Sequence, residues 1–235
     1  HSMTMHDTFA GAQYTTNIAR IAKKIGMDLR LGDDFEVYAD IIAAHRPDQP
    51  IGLPFDPEHT EINRENGFWM TGWNQDGELV HTQAIRLLRL GGTLADYFSA
   101  HFREYPPPGV DIDFSRSCYR PGPGARRISG TVCYHGEAWI RPGDATFRGT
   151  GIIGPLARFT MASAMLRWSP DYLFGLISEG LAYRGLVERE GYMHTDPGAL
   201  TWKLPDGEAI HGFMCWMARE DMDHMMEMPV ERLVA

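Results

Sequence analysis

The stretch from residue 133 to residue 192 constrains the fold most, because strand-like and helix-like segments alternate there around one glycine-rich loop. Segments 133–140 and 172–178 are rich in β-branched, aromatic and other apolar residues, which predicts two strands. The apolar run over 152–168 predicts a helix between them, and a second helix is expected before Gly191 and Tyr192. This alternation indicates an α/β fold.

The loop Arg148-Gly149-Thr150-Gly151 leads directly into the predicted helix. Small residues let a backbone approach a ligand closely, and the unpaired amides of a helix's first turn point towards it. The helix dipole favours an anion at this end, and Arg148 adds a fixed cation with several donors. The loop is therefore predicted to hold a pyrophosphate.

Gly149-Thr-Gly-Ile-Ile-Gly154 also matches G-x-G-x-x-G, the pattern of dinucleotide-binding proteins. That pattern requires a strand running directly into the first glycine and an acidic residue after the next strand. Here eight residues, 141–148, separate the predicted strand end from Gly149, and Asp171 precedes the next strand. Glu179 does follow that strand. A nicotinamide-dependent oxidoreductase remains the alternative from another class.

One stretch of this chain consists of a strand, then Ile140-Arg-Pro142, then Arg148-Gly-Thr-Gly-Ile152, then a helix. This order resembles the acyl-CoA-binding motif of the GNAT superfamily of N-acetyltransferases. Gly191-Tyr192 is similar to the glycine-aromatic pair that ends the next helix in that family. The resemblance covers element order over roughly 27–104 and 128–219. Three features depart from the family pattern: a longer spacing from Pro142 to Arg148, Ile153 in place of a small residue, and Val187 in place of a tyrosine.

The resemblance implies a GNAT-like α/β domain with a mixed, mostly antiparallel central sheet and helices on both faces. It implies an N-acyltransferase that takes acetyl-CoA or another acyl-CoA as co-substrate and a small amine as acceptor. The residues that it places at the acyl-CoA are Trp139, Ile140, Arg141, Arg148, Gly149, Thr150, Gly151, Ile152, Ile153 and Gly154. The backbone amides around residues 139–141 would meet the thioester and pantetheine.

Direct acyl transfer to an amine needs a general base and a donor of the leaving group's proton. Strand alternation puts His135 and Glu137 on one face, and His81 on the neighbouring strand is expected to join them. A histidine or a buried carboxylate suits the role of base. Tyr183, one turn before Val187, is the candidate acid.

The chain divides into a tag remnant with a flexible N-terminus over 1–14 and one domain over 15–235, with an insert at about 105–130. Segments 15–26, 34–46 and 93–104 have helical periodicity. Asp76-Gly77 predicts a hairpin between strands at 67–74 and 78–90, and Gly91-Gly92 is expected to end the second one. Two more strands are predicted at 194–203 and 209–219. The insert is proline-rich and arginine-rich and is expected to be a solvated loop, in which Gly122-Pro-Gly124 forms a turn with no helix after it.

The composition limits the partners. The chain has 235 residues, 43% hydrophobic content and a net charge of −9, which disfavours nucleic acid. No apolar run reaches the roughly 20 residues of a membrane span. Three cysteines without paired spacing favour reduced thiols, no metal site and a cytoplasmic location. A methionine-rich tail leaves a homodimer open.

Two further alternatives keep the same fold. A helix and a long insert between central strands resemble the acyl-homoserine-lactone synthases, GNAT-like enzymes that take acyl groups from acyl carrier protein. That resemblance is limited to topology and leaves a carrier-protein or long-chain donor as one alternative. The other is a GNAT-shaped CoA-binding module without turnover, which Val187 and the irregular loop keep open.

Overall fold

The computed structural model describes residues 3–143, 146–147 and 149–234, and of His6 the backbone alone. Eight strands form one sheet in the order β1-β2-β3-β5-β6-β8-β7-β4. The strands are β1 Asp28–Gly32, β2 Gly67–Trp73, β3 Leu79–Thr93, β4 Asp113–Tyr119, β5 Ser129–Ile140, β6 Tyr172–Ser178, β7 His194–Lys203 and β8 Ala209–Ala218. The helices are α1 Met5–Lys24, α2 Phe35–His45, α3 Leu94–His101, α4 Pro123–Arg127, α5 Ile153–Trp168, α6 Glu179–Tyr183, α7 Leu186–Glu190 and α8 Arg219–Glu227.

Among the described strands, every pairing in the sheet is antiparallel except one. β5 and β6, joined by α5, pair in parallel from Val132 opposite Tyr172 to His135 opposite Gly175. β8 lies between β6 and β7, which explains why it is apolar on both faces. The predicted mixed, mostly antiparallel sheet is confirmed.

Helices cover both faces of this sheet. On one face α1, α5 and α8 pack over Met70, Cys133, Leu173 and Cys215. On the other face α2 packs over Trp69 and Ala84, and α3 packs over Val132 and Phe174. Local signals set the starts of two of these helices: the Asp34 carboxylate caps α2, and Thr93 forms a capping box with Asp96 at α3.

The structure corrects several predicted boundaries near the N-terminus and in the hairpin. The segment up to residue 14 is helical from Met5 onwards, because Thr4 and Asp7 form a capping box there. β3 continues through Gly91-Gly92 to Thr93, since β5 supports it through the pairing of Thr93 with Ser129.

The helix predicted before Gly191 is divided into α6 and α7, because Gly185 has a left-handed φ of 87°. The insert also holds more structure than predicted. β4 pairs with β7 and forms one edge of the sheet, and α4 follows Gly122. The amides of Gly124 and Ala125 at the start of α4 donate to the carboxylate of Asp196, which satisfies this helix end within the chain.

In the part of the chain that the structure describes, every helix is too short or too polar to cross a bilayer. All three cysteines, Cys118, Cys133 and Cys215, are free thiols.

Candidate active site between two splayed strands

The parallel pair opens at the middle of the sheet. Pairing ends at His135 and Gly175, although β5 continues to Ile140 and β6 to Ser178. Residues 136–138 and 176–178 of the two strands line a cavity of about 390 Å³, here called the strand cleft. Backbone groups along this opening have no partner on the neighbouring strand, which leaves donors and acceptors for a ligand. The amides predicted to meet a thioester were those around 139–141, but the Arg141 amide donates to Val80 O at 2.9 Å. Residues 136–138 are therefore the ones beside the opening.

A β-bulge in β5 separates two predicted catalytic residues. Glu137 and Ala138 lie opposite the single residue Gln83 of β3, and Glu137 has a φ of 61°. This extra residue shifts the alternation, so Glu137 points to the face that carries α2 and His135 points to the face that carries α5. The prediction that both side chains share one face is wrong, because the bulge interrupts the period of two.

Several protein groups hold the Glu137 carboxylate in place. It forms a buried ion pair with Arg46 at 2.8 Å, accepts a hydrogen bond from the Tyr38 hydroxyl at 2.7 Å and accepts another from the Gly52 amide at 3.0 Å. Arg46 also donates to Thr82, whose hydroxyl donates to the Glu137 carbonyl. A carboxylate with this many fixed partners stabilises the loop after α2 against the sheet and is poorly placed to accept a substrate proton.

His81 and His135 lie on the other face and are joined through Gln83. The Gln83 amide nitrogen is 2.8 Å from His81 Nε2, and the Gln83 carbonyl oxygen is 2.6 Å from His135 Nε2. His135 Nδ1 is 2.7 Å from the Tyr192 hydroxyl. Burial lowers the pKa of His135 to about 4 and that of His81 to about 3, so both are neutral near pH 7. A neutral His135 that donates through Nε2 to Gln83 accepts the Tyr192 proton through Nδ1.

Tyr192 lies against the strand cleft, whereas Tyr183 does not. A Cβ at Gly175 would be 2.6 Å from the Tyr192 hydroxyl, so the glycine makes room for this ring beside β6. Tyr192 lines the strand cleft together with His135. Tyr183 is 72% exposed and its ring packs edge-on against Phe213. The structure thus brings the tyrosine of the Gly191-Tyr192 pair, and not the predicted acid, to the opening.

Glu190 is the functional candidate that the sequence reasoning missed. It is the last residue of α7, is 6% exposed and lines the strand cleft. Within the described part of the chain, no hydrogen bond or ion pair holds its carboxylate. Burial raises its pKa to about 7, although Arg189 and Arg158 oppose the shift. The available signal in the sequence was helical spacing. Glu190 lies three residues after Val187 and four residues after Leu186, which both face inward, so Glu190 shares their face of the helix.

A second cavity, of about 1060 Å³, lies at the start of α5 and is here called the arginine cavity. Seven of the predicted acyl-CoA residues line it: Ile140, Arg141, Gly149, Gly151, Ile152, Ile153 and Gly154. Five of the described arginines line it as well: Arg141, Arg158, Arg184, Arg189 and Arg232. Among the described residues of this lining, Glu188 is the acidic one. A chain of net charge −9 therefore has a cationic concavity that suits a polyanion.

The arginine side chains of this cavity differ in whether ion pairs or hydrogen bonds to other protein groups hold them. Arg141 pairs with Glu78 at 2.8 Å, and Arg158 donates to the Arg189 carbonyl at the end of α7 at 2.6 Å. Arg184 and Arg232 are exposed and have no ion-pair partner among the described residues. These two side chains are accordingly the ones best able to turn towards an anionic ligand.

The loop glycines have different roles. Gly149 and Gly151 have φ values of 78° and 72°, which favour glycine and turn the backbone ahead of α5. A Cβ at Gly154 would instead lie 2.8 Å from the Arg189 carbonyl, so Gly154 permits α7 to pack closely on α5. The amides of Ile153 and Gly154 belong to the first turn of α5 and have no partner among the described backbone groups.

Three predicted ligands are placed differently or lie outside the described residues. Trp139 is buried on the opposite face, where its indole donates to Asp48 at 3.0 Å. The Thr150 hydroxyl donates to the Phe147 carbonyl at 2.6 Å and holds the loop. Arg148 lies outside the described residues and remains a phosphate ligand predicted from the sequence.

No protein-family model matches this chain. No curated protein matches it either. Several solved structures are similar at low identity. An N-acetyltransferase from Staphylococcus aureus Mu50 covers 83% of this chain and 98% of its own, with 9% identity and a TM-score of 0.44. NAA60 from Arabidopsis thaliana, in complex with acetyl-CoA, covers 82% and 98%, with 12% identity and a TM-score of 0.46. The spermidine/spermine N-acetyltransferase SpeG from Vibrio cholerae covers 85% and 96%, with 6% identity and a TM-score of 0.46.

Proposed function

We propose that this chain is an acyl-CoA-dependent N-acyltransferase of the GNAT type, which transfers an acyl group directly from the thioester to an amine. One observation carries the proposal: a cleft between two splayed parallel strands lies beside a cationic cavity at the start of the helix that connects them. The cleft offers unpaired backbone groups to a thioester, and the cavity offers cations and helix amides to phosphates.

The residues of the arginine cavity fit the phosphates of a CoA-type donor. Arg184 and Arg232 supply charge without an ion-pair partner in the described chain, and the first-turn amides of α5 supply donors. Gly149 and Gly151 carry no side chain, so the backbone of their loop is open to a ligand at these two positions. Arg141 is partly neutralised by Glu78 and contributes less. The donor is thus an anion that binds along α5, with its acyl end directed to the strand cleft.

Glu190 is the proposed general base. Its raised pKa leaves a substantial unprotonated fraction near pH 7 and makes that fraction a stronger base than an exposed glutamate. Glu190 takes one proton from the substrate ammonium group. The neutral nitrogen then attacks the thioester carbonyl carbon, the C–N bond forms and the C–S bond breaks. The proton that leaves the new amide nitrogen goes to the thiolate sulfur, and Glu190 returns its own proton to water.

Tyr192 is the proposed positioning group at the same opening, in place of Tyr183. Its hydroxyl donates to the neutral His135, and Gln83 fixes the other ring nitrogen of that histidine. The buried pair therefore holds the aromatic ring at a fixed position beside the cleft. His81 extends this network and, being neutral and buried, has no direct access to the substrate.

Release of free thiol from acetyl-CoA, measured over a panel of primary amines, tests the activity. We expect release that depends on both the amine and the enzyme, and its loss in Glu190→Gln. If CoA binds but no amine supports release from acetyl-CoA or longer acyl-CoA donors, the chain is a binding module and the transferase proposal fails.

A further inference from the structure

The part of the strand cleft that faces α2 and the insert has aromatic and proline walls. Phe55, Tyr105 and Tyr134 line it, together with Pro106 and Pro108. A smaller cavity of about 200 Å³ adjoins it and shares Tyr105, Tyr134 and Leu176. Trp202, Leu200 and Ile210 line that smaller cavity and extend the apolar surface. We call the two together the aromatic slot.

The walls of the aromatic slot are held rigid by contacts among themselves. The rings of Phe55 and Tyr134 stack at 5.6 Å between centroids, and those of Tyr105 and Tyr134 meet edge-to-face at 4.9 Å. The Tyr105 hydroxyl is 2.6 Å from that of Tyr97 and accepts a hydrogen bond from Arg86. Rings fixed in this way form a rigid apolar wall, in which Tyr134 is partly exposed while Phe55 and Tyr105 are buried behind it. Such a wall loses little entropy on binding.

The charges of the aromatic slot are few. Among the described lining residues of both cavities there is no lysine, arginine or aspartate. The two carboxylates are Glu137, which is neutralised by Arg46, and Glu190, the proposed base. A ligand with several positive charges would find one carboxylate there, and its other ammonium groups would lose hydration without compensation.

We propose that the acceptor is a primary amine with one positive charge carried on an aromatic body, which enters the aromatic slot and directs its nitrogen to Glu190. This inference rests on the proposed acyl transfer for the direction of the amine. The slot supplies an aromatic and proline wall for the body. Among the described lining residues, Glu190 is the carboxylate without an ion-pair partner, and it matches a single ammonium group.

Leu176 is the residue at which the inference is tested by substitution. It lies on β6 between the two cavities and lines both. Leu176→Glu adds a carboxylate to the slot. Leu176→Gln introduces a side chain of the same size as glutamate but without its charge. Comparing these two variants separates the effect of charge from the effect of shape.

Calorimetry on the CoA-loaded protein measures the binding of 2-phenylethylamine and of spermidine. We expect the aromatic amine to bind at least about tenfold more tightly than spermidine. The affinity for spermidine, divided by that for 2-phenylethylamine, should be about tenfold higher in Leu176→Glu than in Leu176→Gln. Unchanged CoA affinity shows that both variants are folded. If either variant does not fold, the affinities of the two amines for the unsubstituted protein decide the inference.

Spermidine that binds as tightly as 2-phenylethylamine, or tighter, overturns the inference, as does a failure of the aromatic amine to bind while CoA binds. If CoA does not bind, the proposed function is contradicted, and the inference about the slot is not. Binding of 2-phenylethylamine to the free protein, tested with the same pair of variants, then still decides the nature of the slot.

Discussion

The Glu137 carboxylate lies 2.8 Å from the Arg46 guanidinium, and the two side chains are 1% and 0% exposed. Both belong to a network that ties the loop after α2 to the bulge in β5. This relationship makes Glu137 a structural residue beside the strand cleft and supports Glu190 as the proposed base.

Glu137→Gln should lower the free energy of unfolding by about 3–5 kcal/mol, because it leaves the buried Arg46 charge without its partner. Urea unfolding at pH 7 measures this. The control is Asp28→Asn, which removes the exposed pair with Arg30 and should cost about 1 kcal/mol or less. Unchanged stability combined with lost activity would give the role of base back to Glu137.

Replacing Glu190 by Gln should lower kcat by about 10²–10⁴-fold, the usual contribution of a general base. In the unsubstituted protein the rate should rise with pH and level off above pH 7, because the base is active when deprotonated and its pKa is raised to about 7. The pH–rate profile measures this. Glu179→Gln, at the start of α6 and outside both cavities, serves as the control and should keep the profile. A profile that is flat from pH 5 to pH 9 would contradict the role of Glu190.

The same raised pKa predicts how stability depends on pH. Folding raises the pKa of Glu190 from 4.5 to about 7, so the folded state holds this proton more tightly than the unfolded state does. The resulting stabilisation is complete below pH 4.5 and is lost as pH rises through 7, and the loss amounts to about 3 kcal/mol at pH 8. Glu190→Gln should therefore unfold at a higher urea concentration than the unsubstituted protein at pH 8, and the difference should shrink at pH 5. An equal difference at both pH values would mean that the carboxyl is not buried.

Gly154 and Gly149 should respond differently to alanine. Gly154→Ala places a methyl group 2.8 Å from the Arg189 carbonyl, so we expect a loss of about 1–3 kcal/mol as α7 shifts away from α5. Gly149→Ala meets open space but keeps a φ of 78°, so strain alone should cost about 1 kcal/mol. Thermal unfolding of both variants compares the two costs. A Gly154 variant as stable as the Gly149 variant would argue against the close packing of α5 and α7.

Much of the architecture could be predicted from local signals. The hairpin at Asp76-Gly77, the strands at 172–178 and 194–203, and the cap at Thr93 depend on residues that are near one another in sequence. The bulge at Glu137 could not be predicted, since it depends on how β5 aligns with a strand some fifty residues away. One extra residue there reversed the face of a candidate base.

The candidate site was only partly predictable, because it too depends on residues that are far apart in sequence. The arginine cavity gathers the predicted loop with Arg184 and Arg232, which no motif connects to it. Glu190 is a charged residue at a helix end, which is typical of a solvated position. Only the packing of α7 against α5 and the core shows that its carboxyl is buried. Tertiary contacts thus decide which of the many polar residues acquires a shifted pKa.

Calorimetric titration with CoA and with NAD, on the unsubstituted protein and on Arg184→Glu, tests the claim that the arginine cavity at the start of α5 binds the phosphates of a CoA-type donor. The expected result is binding of CoA that weakens with rising salt and loses about 1–3 kcal/mol in Arg184→Glu, with no binding of NAD. Binding of NAD without binding of CoA would contradict the claim.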